Sequence, residues 1–352
     1  MRICVAMGTF RGERYLMQQL QSIATQTRSP DAVYVSDDAS DDDTVEILGA
    51  FAASAAFPVH ITVSEKRLGV TKNFERVIGE ADGDVIVLAD QDDVWLPDKL
   101  AKLEQAFTTV PSRGFAFSDA YLVDSDGRRT GKRLWGLAGF GSAERQRLRE
   151  DPFARLMSRS IVGGCTLAFR REYLPLFVPF PPELTFARSP MSVLHDGWIA
   201  MALAPVCSVA VIDEPLIEYR IHANQTIGIP LFWLRRLVPL QLLRWRAAAV
   251  PTREYRARLE GMMTLLRIID ARVALFVDAP IRDVARARIE GALAHLQVRA
   301  DIDGPRRGRV RAVVREARTG RYARYSLGLA SAVADLVRRH GAPFSDRGST
   351  PK

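Results

Sequence analysis

The stretch that decides the fold is DVIVLADQDDVWLPDKL at residues 84–100, where a run of apolar and β-branched residues ends in a cluster of aspartates. Three similar runs precede it, ICVAM (3–7), AVYVSDD (32–38) and VHITVSE (59–65). Segments with helical spacing of apolar residues, such as YLMQQLQSI (15–23), lie between these runs. This alternation predicts an α/β fold, with a mostly parallel sheet flanked by helices on both faces.

Polar residues follow each predicted strand, at the sheet edge where parallel folds bind ligands. Thr9 follows the first strand, Asp37 and Asp38 the second, Arg67 the third and Asp90 the fourth. One of Asp37 and Asp38 is suited to accept the imide hydrogen of a uracil or thymine base, because a carboxylate is a pure acceptor. The sequence therefore predicts that these five residues line a nucleotide-binding crevice.

The aspartates of the ADQDD segment carry the sharpest chemical signal. Asp90, Asp92 and Asp93 stand at the junction of a strand and a loop, where their charges repel one another unless a cation or solvent compensates them. Hard oxygen ligands suit Mg²⁺ or Mn²⁺, and a diphosphate bound through that metal is the natural partner. The alternative is an acidic loop that only caps the next helix.

Two later segments add candidate catalytic residues. Asp196 in HDGW opens an apolar helical segment, where it is either the general base for an acceptor hydroxyl or a favourable charge at a helix N-terminus. His222 in YRIH is a candidate metal ligand through its imidazole, and Arg220 is a candidate to neutralise a leaving diphosphate. Each of the two has a purely structural alternative.

Four residues are candidates for binding the acceptor. Gly163 and Gly164 let the backbone approach a ligand closely, with an ordinary tight bend as the alternative. Trp95 and Trp198 offer apolar faces for stacking on a sugar, although tryptophan is more often a core residue.

Charge is unevenly distributed along the 352 residues, whose net charge is +8. Acidic residues cluster in the first hundred positions, and arginine dominates from Arg235 to Arg339. The amphipathic segments 232–237 and 242–246 are expected either to lie on an anionic membrane face or to form part of a helical cap. Nucleic-acid binding is not expected, because the first region is acidic and the tail lacks interleaved aromatic residues.

The composition also bears on location. Cys4, Cys165 and Cys207 are far apart in the sequence, which argues against a disulfide framework or a metal knuckle. The most apolar run, from Ile229, is broken by arginines well before the roughly 20 residues that a membrane span needs. The first residues resemble neither a secretory signal nor an anchor. We expect a reduced, cytoplasmic protein, with any membrane contact peripheral.

These patterns divide the chain into three parts. Residues 1–228 are expected to form the catalytic domain, with a nucleotide half over about 1–125 and an acceptor half over about 126–228. Residues 229–345 are expected to form a basic, amphipathic helical region, and residues 346–352 a disordered tail.

Seven segments together resemble the GT-A glycosyltransferases of family 2, and within them the bacterial rhamnosyltransferase-like group. They are GTFRGERYLMQQLQSIATQT (8–27), VSDDASDDDT (35–44), KRLGVTKNFERVI (66–78), LADQDDVWLPDKL (88–100), IVGGCTLAFR (161–170), HDGWIAMALA (195–204) and EYRIHANQTIG (218–228). The resemblance implies that Asp90, Asp92 and Asp93 hold the metal and the ribose, that Asp38 reads the base, and that Asp196 is the catalytic base. It also implies that His222 completes the metal site.

The resemblance departs from the family pattern in the first loop, where Thr-Phe-Arg at residues 9–11 replaces the common T-Y-N. The DQDDVW and HDGW variants are similar to those of enzymes that transfer L-rhamnose from dTDP-L-rhamnose in the synthesis of O-antigen and other surface polysaccharides. The expected function is therefore inverting, metal-dependent transfer to a glycan or a lipid-linked oligosaccharide. A UDP-galactose or UDP-glucose donor stays open, and so do a sugar nucleotidyltransferase, a degenerate transferase and a nucleic-acid-binding basic protein.

Overall fold

A computed structural model of the chain describes six stretches: residues 1–159, 161–184, 193–223, 225, 252–302 and 306–337. The strands within them are β1 (Ile3–Thr9), β2 (Ala32–Asp37), β3 (Val59–Val63), β4 (Val85–Asp90), β5 (Val94–Trp95), β6 (Arg113–Val123), β7 (Arg129–Arg133), β8 (Leu167–Arg170) and β9 (Ser208–Arg220). They form one sheet in the order β3-β2-β1-β4-β8-β6-β9-β5, and β7 pairs with β6.

The sheet has a parallel half and a mixed half. Strands β1 to β4 are all parallel, with β1 between β2 and β4. Strand β8 then runs antiparallel to both β4 and β6, and β9 lies parallel to β6. The predicted α/β fold is confirmed, and its strictly parallel part is the segment whose strands alternate with helices in the sequence.

Helices cover both faces of the sheet. Those up to residue 203 are α1 (Leu16–Ala24), α2 (Thr44–Ser54), α3 (Val70–Glu80), α4 (Lys99–Thr109), α5 (Leu134–Ala138), α6 (Ser142–Glu150), α7 (Pro152–Ser158) and α8 (His195–Leu203). One apolar core joins the sheet to α1, α2 and α4, and a second core joins the other face to α3, α7 and α8. Alternate strand residues supply the two cores, as Val5 and Ala6 show.

The C-terminal part is helical and packs on the second core. It comprises α9 (Thr252–Phe276), α10 (Ala279–Ala300), α11 (Arg306–Arg318), α12 (Arg321–Tyr325) and α13 (Leu329–Val337). The apolar stripe of α9 is buried there, and Arg272 donates to the carbonyls of Leu176 and Pro179. These helices therefore cap the sheet domain. The segments 232–237, 242–246 and 346–352 lie outside the described residues.

A buried polar network holds the C-terminal helices together. His295 is fully buried, and its Nδ1 lies 2.9 Å from Glu316. Asp335 accepts hydrogen bonds from Arg299 and from the Tyr322 hydroxyl, both at 2.8 Å. Buried charges are stable only when they are paired in this way. Among the described helices, none is long and apolar enough to cross a membrane.

The shared core predicts that α9 stabilises the whole domain. Leu266 is fully buried in that core, whereas Leu275 on the same helix is 76% exposed. Leu266→Ala should lower the free energy of unfolding by about 2 to 5 kcal/mol, and Leu275→Ala by less than about 0.5 kcal/mol. Urea unfolding followed by circular dichroism measures both. A separate early transition in Leu266→Ala, with the main transition unmoved, would show that the cap unfolds independently.

Candidate active site

The first and second strands meet at a hydrogen-bonded pair. The Thr9 hydroxyl donates to Asp37 Oδ2 at 2.8 Å, and the amide and hydroxyl of Ser40 donate to the same carboxylate at 2.8 and 2.7 Å. Asp37 is fully buried. Both of its oxygens are therefore engaged by the protein, and Asp37 fixes the loop after β2 rather than presenting a free carboxylate to a base.

Asp38 organises the loop between β3 and α3. It accepts the amide N–H groups of Leu68 at 2.5 Å and Gly69 at 2.9 Å, one on each oxygen, which leaves a lone pair on each for a ligand. Arg67 Nε lies 3.9 Å from Asp38, and its guanidinium lies 3.9 Å from the centre of the Phe10 ring. The Arg67 side chain is 65% exposed. Asp38 is only 2% exposed, so neither aspartate is a free carboxylate, and Asp38 as the base-reading residue stays a prediction.

The first loop is clamped by a residue that the sequence analysis missed. The side-chain amide of Gln91 both accepts from the Phe10 N–H at 2.8 Å and donates to the Phe10 carbonyl at 2.9 Å. A Cβ on Gly12 would lie 2.4 Å from Gln91 Oε1, so a side chain there would displace the Gln91 amide from Phe10. Arg11, which stands where the family pattern has asparagine, points outward into a two-bond ion pair with Asp41 at 2.6 and 2.7 Å.

The aspartate loop is joined to the end of β9. Asp92 Oδ2 lies 2.8 Å from His222 Nε2, and the side chains of both residues are only partly buried. The Arg220 amide donates to Asp93 Oδ1 at 3.0 Å, and Arg220 Nε donates to the Asp92 carbonyl at 2.9 Å. The structure therefore brings Arg220 and His222 to Asp92 and Asp93, although the hydrogen-bonded partners are 127 or more positions apart in the sequence.

The predicted contact of Arg220 with a diphosphate needs correction. Arg220 is 2% exposed, and its guanidinium also donates to the Ser125 carbonyl and to Gln18 Oε1 while stacking on Tyr15. Every nitrogen of the guanidinium thus donates a hydrogen bond to another group of the protein. Arg220 braces the aspartate loop, and Arg67 is the exposed arginine of the crevice.

A second cluster lies on the buried side of the same loop. Ligand atoms of Asp90, Asp93 and Cys165 lie within 4.8 Å of one another, and Asp93 Oδ2 is buried without a hydrogen-bond partner among the described residues. Lys99 is fully buried beside them, where it donates to the Cys165 carbonyl at 2.7 Å and lies 3.9 Å from the Trp95 ring centre. Lys99 and Cys165 were not identified as site residues from the sequence.

Burial changes the protonation of this cluster. Loss of hydration, with the nearby charges of Asp92 and Asp196, raises the pKa of Asp90 to about 7. The pKa of Asp93 is raised for the same main reason, and burial lowers the pKa of Lys99 to about 7. Carboxylates whose ionised form is this unfavourable gain from a bound cation. The oxygen donors and the partnerless Asp93 Oδ2 therefore fit a hard divalent cation.

The predicted acceptor side lies next to this cluster. Asp196 is partly exposed in the first turn of α8, and a Cβ built on Gly164 would be 3.7 Å from the Asp196 Cβ and 3.0 Å from His195 Nε2. Gly164 thus lets its loop approach α8 closely. A Cβ built on Gly163 would have its nearest neighbouring atoms at 3.8 Å or more, so no close contact requires glycine at that position.

The two tryptophans are core residues, which corrects the prediction that they stack on a sugar. Trp198 is fully buried, and its indole N–H donates to the Phe177 carbonyl at 2.9 Å. Trp95 is 2% exposed and is covered by Lys99. Neither ring has a face free for a ligand.

Comparison with known proteins identifies the family of the part of the chain that carries the crevice and the aspartate loop. The family model described as glycosyl transferase family 2 matches residues 4–175, which include the crevice, the aspartate loop and the Gly163–Gly164 bend. Residues 4–175 belong to glycosyl transferase family 2. The expected enzyme class, a glycosyltransferase, is confirmed by this match.

Two curated proteins and one solved structure show what the chain is similar to over a longer stretch. The dTDP-rhamnosyl transferase RfbG of Shigella flexneri is 28% identical over 244 residues, which is 68% of this chain and 79% of that protein. An uncharacterized glycosyltransferase of Nostoc sp. is 25% identical over 227 residues, or 63% and 65% of the two chains. S. aureus TarS in complex with UDP-GlcNAc has a TM-score of 0.53 at 15% identity, covering 96% of this chain and 88% of that one. The predicted GT-A architecture is confirmed by this likeness in fold.

The raised pKa of Asp90 predicts that a neutral residue at position 90 increases the stability of the fold, and that the increase depends on pH. An ordinary aspartate has a pKa of about 3.9, so ionisation of Asp90 opposes folding increasingly as the pH rises from about 4 to about 7. In EDTA, Asp90→Asn should therefore raise the melting temperature more at pH 8 than at pH 5. Asp283→Asn, on the exposed side of α10, is the control and should show no such trend. An equal effect of Asp90→Asn at both pH values would contradict the prediction.

Proposed function

We propose that the protein is a metal-dependent inverting glycosyltransferase that moves L-rhamnose from dTDP-L-rhamnose onto a glycan or lipid-linked acceptor in bacterial surface-polysaccharide synthesis. The observation that carries the proposal is the convergence of Asp38, Asp90, Asp92 and His222 at the carboxyl ends of the strands, opposite Asp196. The similarity to the Shigella dTDP-rhamnosyl transferase supports rhamnose as the sugar.

The metal, Mg²⁺ or Mn²⁺, is assigned to Asp92 and His222, with Asp93 contributing through Oδ2. When bound, it would supply charge to stabilise the leaving diphosphate. Asp92 and His222 suit this task because both side chains are partly exposed and their polar atoms lie 2.8 Å apart.

The remaining residues divide the work of binding and proton transfer. Asp38 accepts the imide hydrogen of the base, Arg67 is exposed at the mouth beside it, and Asp90 faces the ribose. Asp196 takes the proton from the acceptor hydroxyl, and attack from the face opposite the diphosphate inverts the anomeric carbon. The negative charge of Asp196 contributes to the raised pKa of Asp90, which agrees with a donor and an acceptor that meet between these two residues.

A UDP-galactose or UDP-glucose donor is the second candidate, since uracil and thymine offer the same imide hydrogen to Asp38. TarS, whose fold this chain shares, was solved with UDP-GlcNAc. The two candidates differ in the base and the sugar but use the same protein residues.

We also place a peripheral membrane contact on α11, on the cytoplasmic face. Its exposed side carries Arg307, Arg311 and Arg318, interleaved with Val310 and Val314, which are 41% and 43% exposed. Spacings of three and four residues put these side chains on one face. A basic face with apolar side chains is suited to anionic lipid headgroups, and would bring the enzyme near a lipid-linked acceptor.

The donor prediction is tested with a panel of nucleotide sugars. A ligand that binds only the folded state stabilises it, and the effect grows with affinity. With Mn²⁺ or Mg²⁺ present, dTDP-L-rhamnose should therefore raise the melting temperature more than UDP-galactose or UDP-glucose does. EDTA or Asp92→Ala should abolish this stabilisation.

A matched variant separates binding from chemistry in the same experiment. Asp196→Asn should keep the stabilisation but lower kcat for transfer by about 10²- to 10⁴-fold, as expected for loss of a general base. Preference for a UDP sugar would select the second donor. Failure of every donor to stabilise the protein would refute the proposed function.

The membrane prediction is tested by charge reversal on α11. The affinity for phosphatidylglycerol vesicles, measured by sedimentation, should be at least about tenfold lower in the Arg311→Glu, Arg318→Glu double variant than in the wild type. Each basic residue near an anionic surface contributes roughly 1 kcal/mol to binding. The control is Arg256→Glu with Arg267→Glu, exposed on α9, which makes the same change in net charge. Equal loss in both double variants, or no binding by the wild-type protein, would argue against this face.

A further inference from the structure

His195, beside the proposed catalytic base, is a buried histidine without a polar partner. It is 5% exposed, and neither Nδ1 nor Nε2 has a hydrogen-bond partner among the residues that the structure describes. Leaving a buried polar group unpaired costs about 1 to 3 kcal/mol. Such a group at the edge of an active site suggests a contact completed by a substrate.

The ring is held in place from two sides. It stacks on Phe74 of α3 with ring centres 4.1 Å apart and planes 11° apart, and its Nε2 lies 3.0 Å from the Cβ position of Gly164. Phe74 is itself buried in the core against β1. The polar edge of the imidazole is thus directed toward the Gly164 loop, which also borders Asp196.

The protonation state narrows the ligand chemistry. Burial lowers the pKa of His195, with the charge of Asp196 acting more weakly in the opposite direction. A neutral imidazole has one N–H donor and one acceptor nitrogen. A hydroxyl group can satisfy either nitrogen, whereas a phosphate oxygen can satisfy only the N–H. The environment therefore favours a sugar hydroxyl over the diphosphate.

We propose that His195 binds a hydroxyl group of one of the two sugar substrates, at the wall that it forms with Gly164 and Asp196. This inference rests on the proposed function and assigns His195 a specificity role in that reaction. It explains why the helix carrying the base begins with a histidine whose ring is fixed but whose nitrogens are unpaired.

Two substitutions separate the polar contact from the packing. His195→Phe keeps a ring that stacks on Phe74 but removes both nitrogens, and should lower kcat/KM by roughly 5- to 150-fold, the equivalent of one lost hydrogen bond to a buried group. His195→Gln keeps a donor and an acceptor, and should retain more activity than His195→Phe. His60→Phe is the matched control, because His60 also stacks on an aromatic ring, that of Tyr34, but is exposed on β3.

Binding measurements identify the sugar that is contacted. If the hydroxyl belongs to the donor, His195→Phe will weaken binding of the nucleotide sugar while its affinity for the matching nucleoside diphosphate stays unchanged. If it belongs to the acceptor, donor affinity and slow donor hydrolysis will stay unchanged while the acceptor KM rises. In the wild-type enzyme, the ¹⁵N shifts of the His195 ring should move on addition of that same substrate.

Wild-type kinetics in both His195 variants, with ring ¹⁵N shifts that respond to neither substrate, would overturn the proposal and leave His195 a packing residue. Should His195→Phe fail to fold, the ¹⁵N measurement and His195→Gln decide the same question. A wild-type protein that binds no nucleotide sugar would instead refute the proposed function, and the hydroxyl contact with it.

Discussion

Repulsion among Asp90, Asp92 and Asp93 is the constraint on which the rest of the site depends. Three carboxylates within four positions of one loop are stable only if other parts of the chain compensate them. The buried Lys99 amine, whose pKa is about 7, comes from α4, the Arg220 amide comes from the end of β9, and the His222 imidazole lies just beyond it. Strand β9 must therefore run parallel to β6 along its whole length to deliver Arg220 and His222 to the loop. The parallel half of the sheet thus supplies the aspartate loop, and the mixed half supplies the residues that compensate it.

Much of this arrangement could be predicted from local patterns. Apolar runs of five to seven residues separated by helical periods fix β1 to β4, and in a parallel sheet the residues after each strand must share one edge. Thr9, Asp38 and Asp90 were found in this way. The contact between Asp92 and His222, which are 130 positions apart, rested instead on the resemblance to family 2 glycosyltransferases.

The parts that the sequence could not supply depend on which way a side chain turns. Lysine is rarely fully buried, so the sequence alone predicts that Lys99, on an amphipathic helix, lies at the surface. The structure instead buries it beside the Cys165 carbonyl and the carboxylates. Trp95 and Trp198 each stand two positions after an acidic site residue, yet both rings are buried in the core. Arg220 shows the same limit, since sequence gives its position at the strand end but not the three acceptors that occupy its guanidinium.

The two halves of the site are connected through a single peptide unit. Gly164 faces His195 and Asp196, and the next residue, Cys165, contributes its thiol to the Asp90 and Asp93 cluster and its carbonyl to Lys99. A side chain at position 164 would place its Cβ 3.0 Å from His195 Nε2, a tight contact that the ring or the loop would have to relieve by a small shift. The proposed base and the proposed donor site are therefore positioned by the same short segment, which is a physical reason for glycine at the point where they meet.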